Sequence, residues 1–175
     1  MKIENNLKWI SSKGGPLILM PQPLLQYWNG IYVLNTYRPN FATDYDRACN
    51  IEEYVGVINI ADEKGLVLGD LPSHTSYVSV DPETVILVRW VWADDEEQVE
   101  RILREMSLDQ HWIDTNIRIL FDSGNLVLFD SAQRGNTIDD FLNIDVNSGN
   151  YKISTFSYQP NKELNLFLIL MTRTV

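Results

Sequence analysis

The stretch Thr84–Trp92 constrains the fold more than any other, because Arg89 is its only charged residue and most of the rest are β-branched or aromatic. A short apolar run of this kind predicts a β-strand that is covered on both faces. Side chains alternate along a strand, so we expect Trp90 and Trp92 to share one face and Val91 to occupy the other.

Tight turns separate the other strand-like segments. Glycine and asparagine, which tolerate positive φ, occupy two similar turns at 122–125 and 147–150. These turns predict antiparallel hairpins, each with a short connection. The expected hairpins join residues 55–60 to 66–70, 117–121 to 126–129, and 151–158 to 164–172. Residues 16–20 and 31–34 are further strand candidates.

Three helices are predicted, and the clearest covers residues 94–106. Asp94 is its expected N-cap, acidic residues fill its first turn, and apolar residues follow at helical spacing. Thr43 is positioned to cap a short helix at 44–49, and Pro23 with Gly30 brackets another at 23–28. The chain is therefore expected to form one α+β, β-rich domain over residues 1–175, with a largely antiparallel sheet.

The sequence Lys13-Gly14-Gly15-Pro16 resembles a phosphate-binding loop only superficially. Such a loop needs its lysine after the glycines and a helix behind it, whereas here the lysine comes first and a strand follows. We interpret the two glycines as a hinge at the start of a strand. His74 and His111 are isolated in sequence, so we predict no metal, no cofactor and no catalytic residue.

The charge of the chain bears on its partners. Fourteen basic residues against twenty-four acidic ones leave a net charge of −10, which disfavours nucleic acid and favours a basic protein partner. The longest apolar segment, at 164–171, is much shorter than the ~20 residues of a membrane helix. With one cysteine, Cys49, these features predict a cytoplasmic protein that binds neither nucleic acid nor membrane, and they leave its oligomeric state open.

Four stretches of the sequence resemble the bacterial immunity protein 21 family in their order and spacing. They are Trp-Ile-Ser-Ser-Lys-Gly-Gly-Pro-Leu-Ile-Leu at 9–19, Asp-Tyr-Asp-Arg-Ala-Cys at 44–49, Leu-Val-Leu-Gly-Asp at 66–70 and Leu-Val-Arg-Trp-Val at 87–91. The resemblance implies an antidote of a polymorphic toxin system, which binds a cognate toxin domain and catalyses no reaction.

The expected interface follows from residue type and the acidic charge. A basic toxin, such as a nuclease domain, would be contacted by a rim of carboxylates around an aromatic anchor. The expected anchor is Trp28, and the expected rim is Asp44, Asp46, Asp94, Asp95, Glu96 and Glu97.

Two other functions remain open at this point. A small hydrolase-type enzyme could use Asp44, Asp46, Arg47 and Cys49 around a pocket. Alternatively, the chain could be a non-catalytic ligand-binding or scaffolding domain.

Overall fold

The structure, a computed structural model, describes residues 7–32, 42–72 and 74–174, and its strands form two antiparallel sheets. In chain order the strands are β1 (Leu17–Pro21), β2 (Val55–Ile60), β3 (Glu63–Leu68), β4 (Thr75–Asp81), β5 (Thr84–Trp92), β6 (Ile113–Phe121), β7 (Asn125–Asp130), β8 (Phe141–Asp145), β9 (Gly149–Tyr158) and β10 (Asn165–Thr174). The first sheet has the order β2-β3-β1-β7-β8 and the second the order β4-β5-β10-β9-β6.

The two sheets pack face to face around one apolar interior. Alternate residues of strands from both sheets enter it, such as Leu17 and Leu19 of β1 with Val85 and Leu87 of β5. Alternation places the intervening residues on the outer faces of the sheets. The β-rich α+β fold class predicted from sequence is thus confirmed, with two antiparallel sheets where a single one was expected.

Helices cover both outer faces. A 3-10 helix at Gln22–Tyr27 and helix α1 (Asp44–Cys49) contribute Leu24, Trp28 and Ala48 to an apolar cluster on the first sheet. Helix α2 (Glu96–Glu105) packs Val99 and Leu103 on the second sheet. The sandwich therefore has four layers, and its central strands are buried on both sides, as predicted for β5.

Most predicted elements form, but one hairpin is wrong, some element ends and the strand at 31–34 differ, and β4 and β8 were not predicted. The β2–β3 and β9–β10 hairpins form as expected. The predicted hairpin between β6 and β7 is wrong, because β6 pairs with β9 in the second sheet and β7 pairs with β1 and β8 in the first. The turn at 122–125 carries the chain from one sheet to the other, which turn chemistry alone does not reveal.

The helix ends differ from expectation only slightly. Asp95, not Asp94, is the N-cap of α2, and α1 has the predicted span and the predicted Thr43 cap. The helix expected at 23–28 is a 3-10 helix that begins one residue earlier. Of the strand predicted at 31–34, Ile31 lies in a turn, Tyr32 is irregular and residues 33–34 are outside the described part.

The hinge interpretation of the two glycines agrees with the backbone. Gly14 has φ +120°, and the chain enters β1 three residues later. A Cβ at Gly15 would lie 2.6 Å from a ring carbon of Tyr45, so the second glycine lets the strand entry pass close under α1. Within the described ranges, no helix is both long and apolar enough to cross a bilayer.

Candidate protein-binding surfaces

The connection between β5 and α2 carries four of the predicted interface residues. The acid turn (Asp94, Asp95, Glu96 and Glu97) is solvent-exposed throughout. Asp95 caps the helix by accepting a hydrogen bond from the backbone N of Gln98 at 2.7 Å. In the part of the chain that the structure describes, no lysine or arginine pairs with any of these four carboxylates. Their negative charge is therefore available to a partner.

One residue of the acid turn contacts an aromatic group on the second sheet. Glu96 Oε1 lies 3.6 Å from Nε2 of His74. The imidazole stacks on Trp9 with ring centroids 4.9 Å apart and meets Trp90 edge-on, while Ser11 Oγ lies 2.7 Å from its Nδ1. This arrangement joins the segment before β1, the start of β4 and the start of α2, and so fixes the position of the acid turn.

Asp44 and Asp46 have internal partners instead. Asp44 is half-buried and accepts a hydrogen bond from the backbone N of Asn29 at 2.7 Å. Asp46 accepts from both the backbone N and Oγ1 of Thr43 at 2.8 Å, and these bonds lower the pKa of its carboxyl. Thr43 Oγ1 in turn accepts from the backbone N of Asp46, which completes a capping box. Both aspartates fasten α1 to its surroundings.

The other two residues of the hypothetical enzyme site on α1 are also accounted for. The Arg47 guanidinium donates to the carbonyl of Asn59 and lies 3.8 Å from Asp44. Burial raises the pKa of the Cys49 thiol, whereas an activated nucleophile needs a lowered one. The hydrogen bond to Cys49 and burial together raise the pKa of Tyr45 to about 12. These contacts describe a packed helix rather than a prepared nucleophile.

The expectation that Trp28 is exposed is wrong. Its side chain is 1% exposed and belongs to the apolar cluster on the first sheet. Its Nε1 donates to the carbonyl of Ser131 at 3.0 Å, so the polar part of the indole is satisfied internally as well. The chain reverses at Gly30 and buries this indole against the sheet, although its place at the end of a short helix suggested exposure.

The six predicted carboxylates divide into two groups on opposite faces of the sandwich. Asp44 and Asp46 belong to the helix that covers the first sheet, and the acid turn begins the helix that covers the second. The structure therefore does not bring them together as one rim. The exposure of all four side chains, and the absence of a partner for the Asp94 and Glu97 carboxylates in the described part of the chain, distinguish the acid turn as the stronger candidate.

Sequence reasoning missed two groups of exposed apolar side chains. The Tyr27 patch consists of Tyr27, Ile31 and Tyr32, close to α1. The end surface consists of the exposed Tyr54, Leu71, Val91 and Trp92 with the half-buried Phe167, at the end of the sandwich where β5 finishes.

Trp92 could have been found only with knowledge of the strand pairing. Trp90 pairs with Leu166 and Trp92 with Asn165, so a register shift interrupts the regular alternation between them. Trp90 joins the outer apolar cluster, whereas Trp92 is 43% exposed. The two tryptophans therefore differ in exposure, and their shared face stays a prediction.

Comparison with known proteins gives these surfaces a context. The described residues contain no group of three or more histidine, cysteine or acidic side chains placed to hold a metal. Exposed apolar patches beside unpaired carboxylates are typical of a protein that binds other proteins. Residues 8–164 match the model of the Immunity protein 21 family, and the chain belongs to that family. It is accordingly an immunity protein, and its family implies a cognate toxin protein as its partner. No curated protein and no solved structure matches the chain.

Proposed function

We propose that this protein neutralises a toxin domain of a polymorphic toxin system, in the cytoplasm of the bacterium that makes both, by binding it without catalysis. The observation that supports the proposal is the exposed acid turn, which has no lysine or arginine partner in the described part of the chain, on a chain of net charge −10. The favoured partner is a toxin domain with a basic surface, such as a nuclease.

The electrostatic argument for a basic toxin is direct. A nuclease binds phosphates through lysine and arginine, so its substrate groove carries positive charge. Complementary charge on an inhibitor speeds encounter and favours the correct orientation. Carboxylates that have no partner within the protein can supply this negative charge without breaking contacts of the fold. Asp44 and Asp46 contribute less, because Asp44 is half-buried against Asn29 and the Asp46 carboxylate is held by Thr43.

Growth rescue tests the proposal. The toxin domain encoded beside the gene for this chain is expressed in a host that lacks both, with this protein, with an unrelated immunity protein, or alone. We expect growth to resume only with this protein. Loss of growth in all three cultures, with both proteins present in the lysate, would contradict the proposed function.

The nature of inhibition is tested separately with purified components. We expect this protein to block the toxin in a stoichiometric manner, with inhibition complete at one equivalent. An inhibitor that acts by catalysis would instead neutralise a large excess of toxin with time, and that result would contradict a binding mechanism.

A further inference from the structure

We propose that the cognate toxin docks on the end surface, with apolar contacts to Tyr54, Trp92 and Phe167 and with its basic residues against the surrounding carboxylates. This proposal rests on the proposed function, since it assigns the surface that the toxin contacts.

The centre of the end surface is apolar and partly open. The rings of Tyr54 and Phe167 lie 5.0 Å apart, and the Tyr54 side chain is 65% exposed. Phe167 is only partly covered by the interior cluster, and Trp92 pairs with Asn165, two residues before Phe167 on β10. Partly exposed Tyr and Trp at the middle of a patch are the residue types that dominate binding energy in protein interfaces.

Two hydrogen bonds made by the backbone of Gly69 fix this end of the sandwich, and the bond from Arg89 joins the two sheets. Arg89 is fully buried, pairs with Phe167 across the strands, and donates from Nη2 to the carbonyl of Gly69 at 2.7 Å. The backbone N of Gly69 donates to the carbonyl of Tyr54 at 3.1 Å. Burial lowers the pKa of the Arg89 guanidinium to about 10, and the nearby Asp70 carboxylate opposes that shift. The surface is thus preformed, which reduces the ordering cost of binding.

Most exposed charged residues at this end are acidic, and the exceptions are Lys162, in the turn before β10, and Lys13, whose backbone N donates to Asp130. Residues 52–54, 69–72, 91–97 and 165–167 contain no lysine or arginine. Glu52 and Glu53 precede Tyr54, Asp70 precedes the exposed Leu71, and the acid turn follows Trp92. An apolar centre with a charged border is the usual make-up of a protein interface. Here the border is predominantly negative, so it complements a basic surface.

The same charge argues against a second copy of this chain as the occupant. A twofold contact through the end surface would bring two acidic borders together. Like charges placed across an interface suppress association. A basic toxin surface would instead be attracted to these carboxylates. We therefore assign the end surface to the toxin.

The Tyr27 patch lacks this combination. Its nearest predicted carboxylates, Asp44 and Asp46, are engaged by Asn29 and Thr43. It is also built from one short segment on the outer face of the first sheet, whereas the end surface joins both sheets. Similar side chains at a different place make the Tyr27 patch a matched control.

The test uses the purified full-length chain and the purified toxin domain encoded by the neighbouring gene. Tyr54→Ala and Trp92→Ala are compared with Tyr27→Ala and Tyr32→Ala, and affinity is measured for variants that keep the wild-type melting temperature. We expect each end-surface variant to weaken binding by roughly 10- to 100-fold and each control to change it less than about threefold.

Hydrogen exchange on the wild-type complex gives an answer that needs no variant. Toxin is expected to protect amides at 52–54, 69–71 and 91–97, and to leave 27–32 unchanged. Unchanged affinity in both end-surface variants, or protection confined to 27–32, overturns the docking surface. A protein that is dimeric alone and becomes monomeric on Trp92→Ala, with toxin affinity unchanged, also overturns it. Absence of binding by the wild-type chain would instead contradict the proposed function itself.

Discussion

Nε1 of Trp28 donates a hydrogen bond to the backbone carbonyl of Ser131 at 3.0 Å, across 103 residues of sequence. The bond fastens the 3-10 helix to the segment that follows β7. The chain after Gly30 extends this contact, because the backbone N of Ile31 donates to the carbonyl of Ala132 at 3.2 Å. Trp28 is consequently part of the packing on the first sheet.

Trp28→Ala is expected to lower the free energy of unfolding by about 3–5 kcal/mol, because it empties a buried aromatic site. Trp28→Phe keeps most of the volume and removes the donor to Ser131, which costs about 1–3 kcal/mol. Urea denaturation measures both. Toxin affinity of folded Trp28→Phe should equal that of the wild type, and a large loss of affinity without a loss of stability would restore Trp28 as an anchor.

The capping box of α1 predicts a pH-dependent stability. Hydrogen bonds from Thr43 lower the folded-state pKa of Asp46, so its contribution is present above the ordinary carboxyl pKa of ~3.9 and is lost as pH falls through the folded value. Asp46→Asn should therefore be less stable than wild type near pH 7, and the difference should shrink in acid. Thermal melts from pH 7 to pH 2 check this.

The same cap gives a second comparison, made at neutral pH. Thr43→Ala removes the side-chain acceptor for Asp46 N and is expected to destabilise the protein by about 1 kcal/mol. Thr43→Ser keeps a hydroxyl and should cost much less. Equal melting temperatures for the two variants would show that the cap contributes nothing.

Gly30 is predicted to resist substitution. It has φ +59°, and a Cβ there would collide with the carbonyl oxygens of Ala132 and Gln133. Left-handed backbone costs an L-residue about 1–2 kcal/mol, and overpacking against backbone adds about 1–3 kcal/mol. Gly30→Ala should therefore cost several times more than the neighbouring Asn29→Ala in urea denaturation. Similar values for both would mean that the turn relaxes.

Charge reversal in the acid turn is expected to slow toxin association. Asp94→Lys with Glu97→Lys leaves the Asp95 cap intact and should reduce the association rate by roughly tenfold at low salt. The matched control, Asp62→Lys with Asp122→Lys, changes net charge equally at exposed turns elsewhere. Stopped-flow rates at rising salt should converge as screening increases. Equal slowing by both pairs would mean that only net charge matters.

Local chemistry made much of the fold predictable. The β5 strand, the α1 cap and two hairpins follow from apolar runs, a capping threonine and tight turns. The partner of β6 does not, because a four-residue turn can either reverse a strand within a sheet or carry the chain to another sheet. That choice depends on strands distant in sequence, because β1 pairs with β7 in the first sheet and β9 pairs with β6 in the second.

The candidate site was only partly predictable for the same reason. The acid turn is exposed because a capped, amphipathic helix presents its first turn to solvent. Trp28 is buried where exposure was expected, and Trp92 is exposed at the end of a strand expected to be covered. Burial depends on which other parts of the chain pack over each indole. A single sequence gives the residue type and the local conformation, but it does not give the covering layer.

The way the end surface is assembled couples recognition to folding. Tyr54 and Phe167 belong to different sheets, and their rings meet only when the two sheets have closed on each other, beside the strand pairing of Trp92 with Asn165. An open chain offers no equivalent surface, so a toxin bound there acts as a ligand of the native state alone. Such a ligand adds RT ln(1 + [L]/Kd) to stability, about 4 kcal/mol at a thousandfold excess over Kd. The toxin would then protect its own inhibitor from unfolding and proteolysis, and unbound antidote would be the form that the cell degrades first.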